Sequence, residues 1–246
     1  MDLKVTPRVN ARYWVAILIA SMCGTNFGDL FPDTLHVSEG PAFLILTGLF
    51  ALVVTAERLS RRGGELYYWL TILVVRGGAT IIADYTVNRR HLDYATTCFA
   101  FAVVLAVLVG VHHWRSQRRS SNLPSTDSYY WLTMLTAGAV GTILGDGVGH
   151  AFGAVQRGVP ISTGLATLAL VIILGVRARL GSTSPASYWI AVVAVRWWGT
   201  NVGDISKFLL SLPVSITDAG VILLIILSFW RTTSTYLPGR EDPSPV

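Results

Sequence analysis

Charge is what this sequence has least of. Asp, Glu, Lys and Arg make up 13% of its 246 residues, against about 25% in soluble domains. Hydrophobic residues make up 52%. The deficit, and the long apolar runs it leaves, exclude an ordinary water-soluble domain and point to an integral membrane protein. Cysteine is nearly absent. Cys23 and Cys98 fall inside apolar segments, so they read as small buried hydrophobes, not as a disulfide framework or a metal pair. No Gly-rich phosphate loop, nucleophile motif or nucleotide fingerprint is present, so nothing marks an enzyme. His91, His112, His113 and His150 form no soft-metal pattern. The formal charge of +5 is no nucleic-acid footprint, because in a membrane protein the informative question is which loops hold the Lys and Arg.

What the chain does have is a frame that occurs four times. Trp14–Asp29, Trp69–Asp84, Trp131–Asp146 and Trp189–Asp204 each run from a Trp, through a Thr eleven residues on (Thr25, Thr80, Thr142, Thr200), to an Asp fifteen residues on. A Gly or Ala precedes each Thr and each Asp. Four copies in register, 55, 62 and 58 residues apart, make this a repeat protein before any local reading begins.

Eight apolar segments follow from hydropathy, at 12–31, 41–58, 66–86, 94–114, 128–147, 160–178, 187–210 and 215–232. Most are near the ~20 residues a helix needs to cross hydrocarbon, and their continuity favours helices over a barrel. The expected fold is an all-α integral membrane protein of eight transmembrane helices. They form four helical-hairpin repeats at 12–62, 66–119, 128–179 and 187–232. Two helices per repeat make all four repeats parallel, so their pseudo-symmetry axis lies along the membrane normal. The first stretch, after Lys4, Arg8 and Arg12, lacks a small-residue cleavage site and reads as an uncleaved span.

The N-terminus, the inter-repeat loops and the tail hold 13 of the 19 Lys and Arg, which places both termini in the cytoplasm. Arg58, Arg61 and Arg62, then Arg115, Arg118 and Arg119, Arg177 and Arg179, and Arg231 close the second helices. Arg89, Arg90, Arg157 and Lys207 are assigned to the opposite loops. The polar stretch 115–128 divides the chain into halves of about 1–119 and 120–237, and 238–246 reads as a disordered tail.

Laid out this way, the chain resembles a family of bacterial inner-membrane proteins built from four tandem two-helix repeats, each marked by a Trp and of unknown function. The residues carrying the resemblance are Tyr13-Trp14, Tyr68-Trp69, Tyr130-Trp131 and Tyr188-Trp189, with Gly24-Thr25, Gly141-Thr142 and Gly199-Thr200. Ala79-Thr80 and Ala83-Asp84 depart from it. The resemblance implies eight helices in a bacterial inner membrane and supplies no activity.

On a helix the Thr lies at about +20° and the Asp at about +60° from the Trp, one polar stripe beside a ridge of small residues. The ridge reads as close helix packing, and Trp14, Trp69, Trp131 and Trp189 as interface anchors in an aromatic belt. Asp29, Asp84, Asp146 and Asp204 are expensive in the membrane, about 2.5–3.5 kcal/mol each at a helix centre. They read either as a cation or proton site with the threonines and with Asn26 and Asn201, or as a polar network that locks the bundle.

Arg76 and Arg196 recur at the seventh position after Trp in the second and fourth repeats, where the others have Ser21 and Gly138. They are expected to face inward, with Glu57 as one candidate partner of Arg76. Four Asp and two Arg give the stripe a formal −2, which suits one hard divalent cation bound by oxygen, or a retained proton. If the hairpins close a ring, the first and last repeats meet, and Asp29, Asn26, Asp204 and Asn201 come together. The functional expectation is a small secondary transporter or exporter that handles a divalent cation or proton and is surrounded by lipid. The alternative is a non-transporting membrane scaffold or sensor subunit whose stripe only packs the helices.

Overall fold

The computed structural model describes residues 3–60, 64–118, 126–181 and 184–230. Among them run eight α-helices: α1 (Ala11–Asp29), α2 (Glu39–Leu59), α3 (Glu65–Asp84), α4 (Tyr94–Arg118), α5 (Ser128–Ala151), α6 (Val155–Leu180), α7 (Pro185–Leu210) and α8 (Leu212–Phe229). Arg61, Arg62, Arg119 and Arg231, the 238–246 tail and most of the polar stretch between α4 and α5 lie outside the described residues. The expected segments fall on these helices. The sixth is longer than its hydropathy suggests, because α6 starts ahead of Pro160 and carries it inside its second turn. Proline there leaves the Gln156 carbonyl without its i+4 amide partner. Seven helices are long and apolar enough to cross a membrane; α7, which carries Arg196, Asp204 and Lys207, is not among them. This is the build of a multi-pass membrane protein.

Helices α1, α3, α5 and α7 pack in a closed ring, each against the next and α7 against α1. The other four lie outside it. In α1, α3 and α5, 61–72% of the apolar window is buried, against 11–22% in α2, α4, α6 and α8. The outer helices turn large apolar side chains outward, among them Leu44, Phe99, Val107, Val171 and Ile225. Each buries one narrow stripe, such as Ser162, Ala166 and Leu170 on α6, or Ser215, Ala219 and Leu223 on α8. The hairpin expectation needs refinement. The outer helix of each repeat packs on the inner helix of the following one, α2 on α3, α4 on α5, α6 on α7 and α8 on α1, with α6 also touching α5 and α8 touching α7.

Local chemistry sets the helix ends. The Asn10 and Asp127 side chains accept the backbone N–H of Tyr13 and Tyr130, both at 3.0 Å, and so cap α1 and α5. At the start of α4 the exposed Asp93 carboxylate accepts the Thr96 N–H at 2.9 Å, which holds its pKa below the ordinary carboxylate value. Beyond the Asp of the frame, α1 and α3 each loosen into one turn of π-helix, Leu30–Thr34 and Tyr85–Arg89. The chain then reverses at a left-handed residue seven positions past each Asp: His36 (φ 53°), His91 (φ 54°), Gly153 (φ 82°) and Ser211 (φ 69°). The frame therefore extends further than its recurring residue types reveal.

Candidate site on the ring axis

The small-residue ridge builds the ring by one rule. The residue just before each Thr presses on position +7 of the next inner helix. Gly24 meets Arg76, Ala79 meets Gly138, Gly141 meets Arg196 and Gly199 meets Ser21. A Cβ at Gly24 would lie 2.6 Å from the Cβ of Arg76, and one at Gly138 would lie 2.6 Å from the Cβ of Ala79. The second repeat keeps Ala79 because its neighbour is a glycine; the other three face a side chain and have none themselves. This close approach brings the four stripes onto one axis.

At mid-axis sits the Arg76 guanidinium, 1% exposed. It donates to Ser21 Oγ (3.3 Å), Thr80 Oγ1 (3.2 Å), Thr142 Oγ1 (2.7 Å), Thr200 Oγ1 (2.6 Å) and the Arg196 carbonyl (3.4 Å). Its five N–H groups are thereby all used. Three of the four frame threonines serve it, and none of the five acceptors is a carboxylate. Thr25 instead bonds back to the Ser21 carbonyl at 2.9 Å. Glu57 is not the partner expected from sequence: its carboxylate accepts the Lys4 backbone N–H at 2.6 Å, near the end of α2. Arg196 starts at the same level as Arg76 and points the other way. Its Nη2 lies 3.1 Å from Met134 Sδ, and its buried Nε and Nη1 have no partner.

Toward the start of the inner helices the axis ends in four tyrosine hydroxyls. They close a square: Tyr13–Tyr68 at 3.0 Å, Tyr68–Tyr130 at 2.7 Å, Tyr130–Tyr188 at 3.2 Å and Tyr188–Tyr13 at 2.6 Å. Each ring packs between the Trp of its own repeat and the Trp of the next, Tyr188 closing the circle against Trp14 at 5.9 Å. The tryptophans are therefore wedges of this cluster. Trp69, Trp131 and Trp189 are 1–4% exposed, which corrects their reading as interface anchors. The aromatic-belt reading considers only their depth, and ring closure turns them inward. The tyrosines are site residues that sequence reasoning missed, although one precedes every frame Trp.

At the other end of the axis Asp29 is buried, while Asp84, Asp146 and Asp204 are partly exposed. The four lie within electrostatic reach of one another. Lys207 joins two of them, its Nζ at 2.6 Å from Asp29 Oδ2 and 3.0 Å from Asp204 Oδ1. The first and last repeats do bring these carboxylates together, but around the chain's own ammonium. Lys207 belongs to the last turn of α7, not to a loop. Asn26 and Asn201 do not meet. Asn26 Nδ2 donates to Ser215 Oγ at 2.6 Å and Ser206 Oγ at 3.3 Å, whereas Asn201 Nδ2 donates to Ser162 Oγ at 2.8 Å. Twelve residues past the Trp places them at about +120°, off the stripe and facing an outer helix. Asp84 is reached by Asn88 at 3.4 Å. Among the described residues no three His, Cys, Asp or Glu side chains gather as a metal-binding group.

Residues 12–62 match a family described as Repeat of Unknown Function (DUF347). No curated protein matches the chain. No solved structure matches it either.

Proposed function

We propose that this chain is a small secondary transporter or exporter of the bacterial inner membrane, with both termini cytoplasmic, and that its aspartate end takes a cation or a proton. The observation that carries the reading is the Asp29–Lys207–Asp204 triad. Two carboxylates from the first and last repeats converge on one ammonium, and Lys207 and Asp204 remain 30% and 27% exposed at the side chain. An outside cation can compete there with a tethered one. Hard oxygen ligands favour Mg, Mn or Ca among divalent ions. The cation goes no further along the axis in this arrangement, because two buried guanidiniums stand in its way. That argues against a straight pore and for a carrier.

Proteoliposomes carrying a pH-sensitive dye, challenged in turn with Mg, Mn and Ca gradients, test the proposal. The expected outcome is a pH change inside the vesicles with one of these cations, reduced at least about tenfold, or 1.4 kcal/mol, by Asp29→Asn or Asp204→Asn. A protein that folds, reconstitutes and moves neither cation nor proton would sink it. The scaffold reading has one observation in its favour: Arg76 with its hydroxyl collar ties all four inner helices without any ligand.

A further inference from the structure

The packing sorts the eight helices into two bodies that are not the two halves of the sequence. Helix α8 lies on α1, α1 on α3, and α2 on α3. Helix α4 lies on α5, α5 on α7, and α6 on both α5 and α7. One body is therefore α8 with α1–α3, the other α4–α7. The chain passes between them at two places only, the α3–α4 turn and the α7–α8 turn. Both turns are at the aspartate end, and they reverse at His91 and Ser211 as the α1–α2 turn does at His36.

The seams differ in kind. Inside each body the frame glycines press on backbone: Gly28 on the Gly77 carbonyl, Gly141 on the amide of Trp197. Between the bodies the frame glycines meet mainly side chains, Gly138 the Ala79 methyl and Gly199 the Ser21 side chain. The polar contacts that join the bodies are Tyr13–Tyr188 (2.6 Å) and Tyr68–Tyr130 (2.7 Å) at one end, Arg76 to Thr142 (2.7 Å) and Thr200 (2.6 Å) at the centre, and Lys207 to Asp29 (2.6 Å) at the other; Arg12–Glu65 and Asn26–Ser215, both 2.6 Å, do the same within one body. The tyrosine bonds inside a body are longer, 3.0 and 3.2 Å. Beside the inter-body seam of α3 and α5 runs an apolar groove of about 310 Å³, walled by Phe43, Phe50, Val75, Gly78, Trp131 and Leu135.

We propose that α8 with α1–α3 and α4–α7 move as two rigid bodies hinged at the aspartate end, so that the tyrosine square is the gate. With both crossings and the Lys207 clasp at one end, a small rotation has its greatest displacement at the other. Opening breaks the Tyr13–Tyr188 and Tyr68–Tyr130 bonds and leaves each body its own tyrosine pair. Packed backbone seams move as units, while exchangeable hydrogen bonds are where they part. This deepens the transport reading by assigning its moving parts, and its test needs no substrate.

The test is a distance measurement between spin labels in the full chain, with Cys23 and Cys98 replaced by alanine. Labels at Gly64 and Ser184 span the bodies at the tyrosine end; labels at Asn10 and Gly64 lie within one body. Arg76→Met, and separately Tyr68→Phe with Tyr130→Phe, are expected to lengthen or broaden the Gly64–Ser184 distance by about 5 Å or more, the scale of a rigid-body motion, with Asn10–Gly64 unchanged. If both distances shift alike, or neither shifts in either variant, the two-body assignment is overturned. Proteoliposomes that transport nothing would sink the function and leave these distances untouched.

Discussion

The seam of α1 with α3 and the seam of α1 with α7 use the same frame positions and close by different means. On the first, Gly24 and Gly28 let the backbone of α3 approach, and a Cβ at Gly28 would sit 2.8 Å from the Gly77 carbonyl. On the second, Gly199 and Gly203 of α7 meet mainly the side chains of Ser21 and Asn26, and Lys207 and the tyrosines add bonds between groups that could equally bind water. Polar bonds cross both seams, each worth about 1 kcal/mol because water competes for them; on the first they are Arg12 to Glu65 (2.6 Å), Tyr13 with Tyr68 (3.0 Å) and Arg76 to Ser21 (3.3 Å). What the first seam adds is dispersion that only a tight backbone fit provides. Repetition of a sequence frame thus does not force repetition of its energetics.

Substitutions can break or sharpen that contrast. The largest loss is expected from Gly141→Ala, which drives a methyl into Arg196 and the Trp197 amide on a backbone-packed seam; about 2–3 kcal/mol should disappear from unfolding in detergent. Gly138→Ala on the α3–α5 seam should cost about 1–2 kcal/mol through the clash with Ala79, and adding Ala79→Gly should restore all but about 0.5 kcal/mol, since the pair then carries the same atoms in exchanged places. A double-mutant cycle that shows simple additivity would refute the packing rule. Tyr13→Phe opens two sides of the square and should cost about 1.5 kcal/mol, read as a lowered melting temperature. Ser211→Gly is the smallest effect and runs the other way. Ser211 combines φ 69° with ψ 155°, a region that suits glycine, so the substitution should stabilise by about 1 kcal/mol in the same assay.

Much of the ring is legible in the order of residues alone. The fourfold Trp–Thr–Asp register, the small-residue ridge and the inward arginines are one-dimensional facts about a helix face, and periodicity reports faces well. The meeting of Asp29 with Asp204 follows from closing the ring. What escapes depends on which helix packs on which. Lys207 has no counterpart at the same position of the other repeats, where Pro32, Val87 and Gly149 stand, so no register points to it. Asn26 and Asn201 share a step with the stripe but not its direction. The turn seven residues past each Asp is filled by His, His, Gly and Ser, and a shared backbone angle carried by different residue types leaves no trace in the letters. The divalent cation remains a proposal, and the geometry adds that such an ion would have to compete with an ammonium.

The seating of each outer helix on its successor also orders events in time. Helix α1 is made before two of the surfaces it packs against, α7 and α8. Until they emerge, Asn26 lacks Ser215 and Asp29 lacks Lys207. Polar groups buried without a partner are costly. Helix α1 therefore stays incompletely satisfied while α2 to α6 are made, and the ring closes only when α7 and α8 return to it.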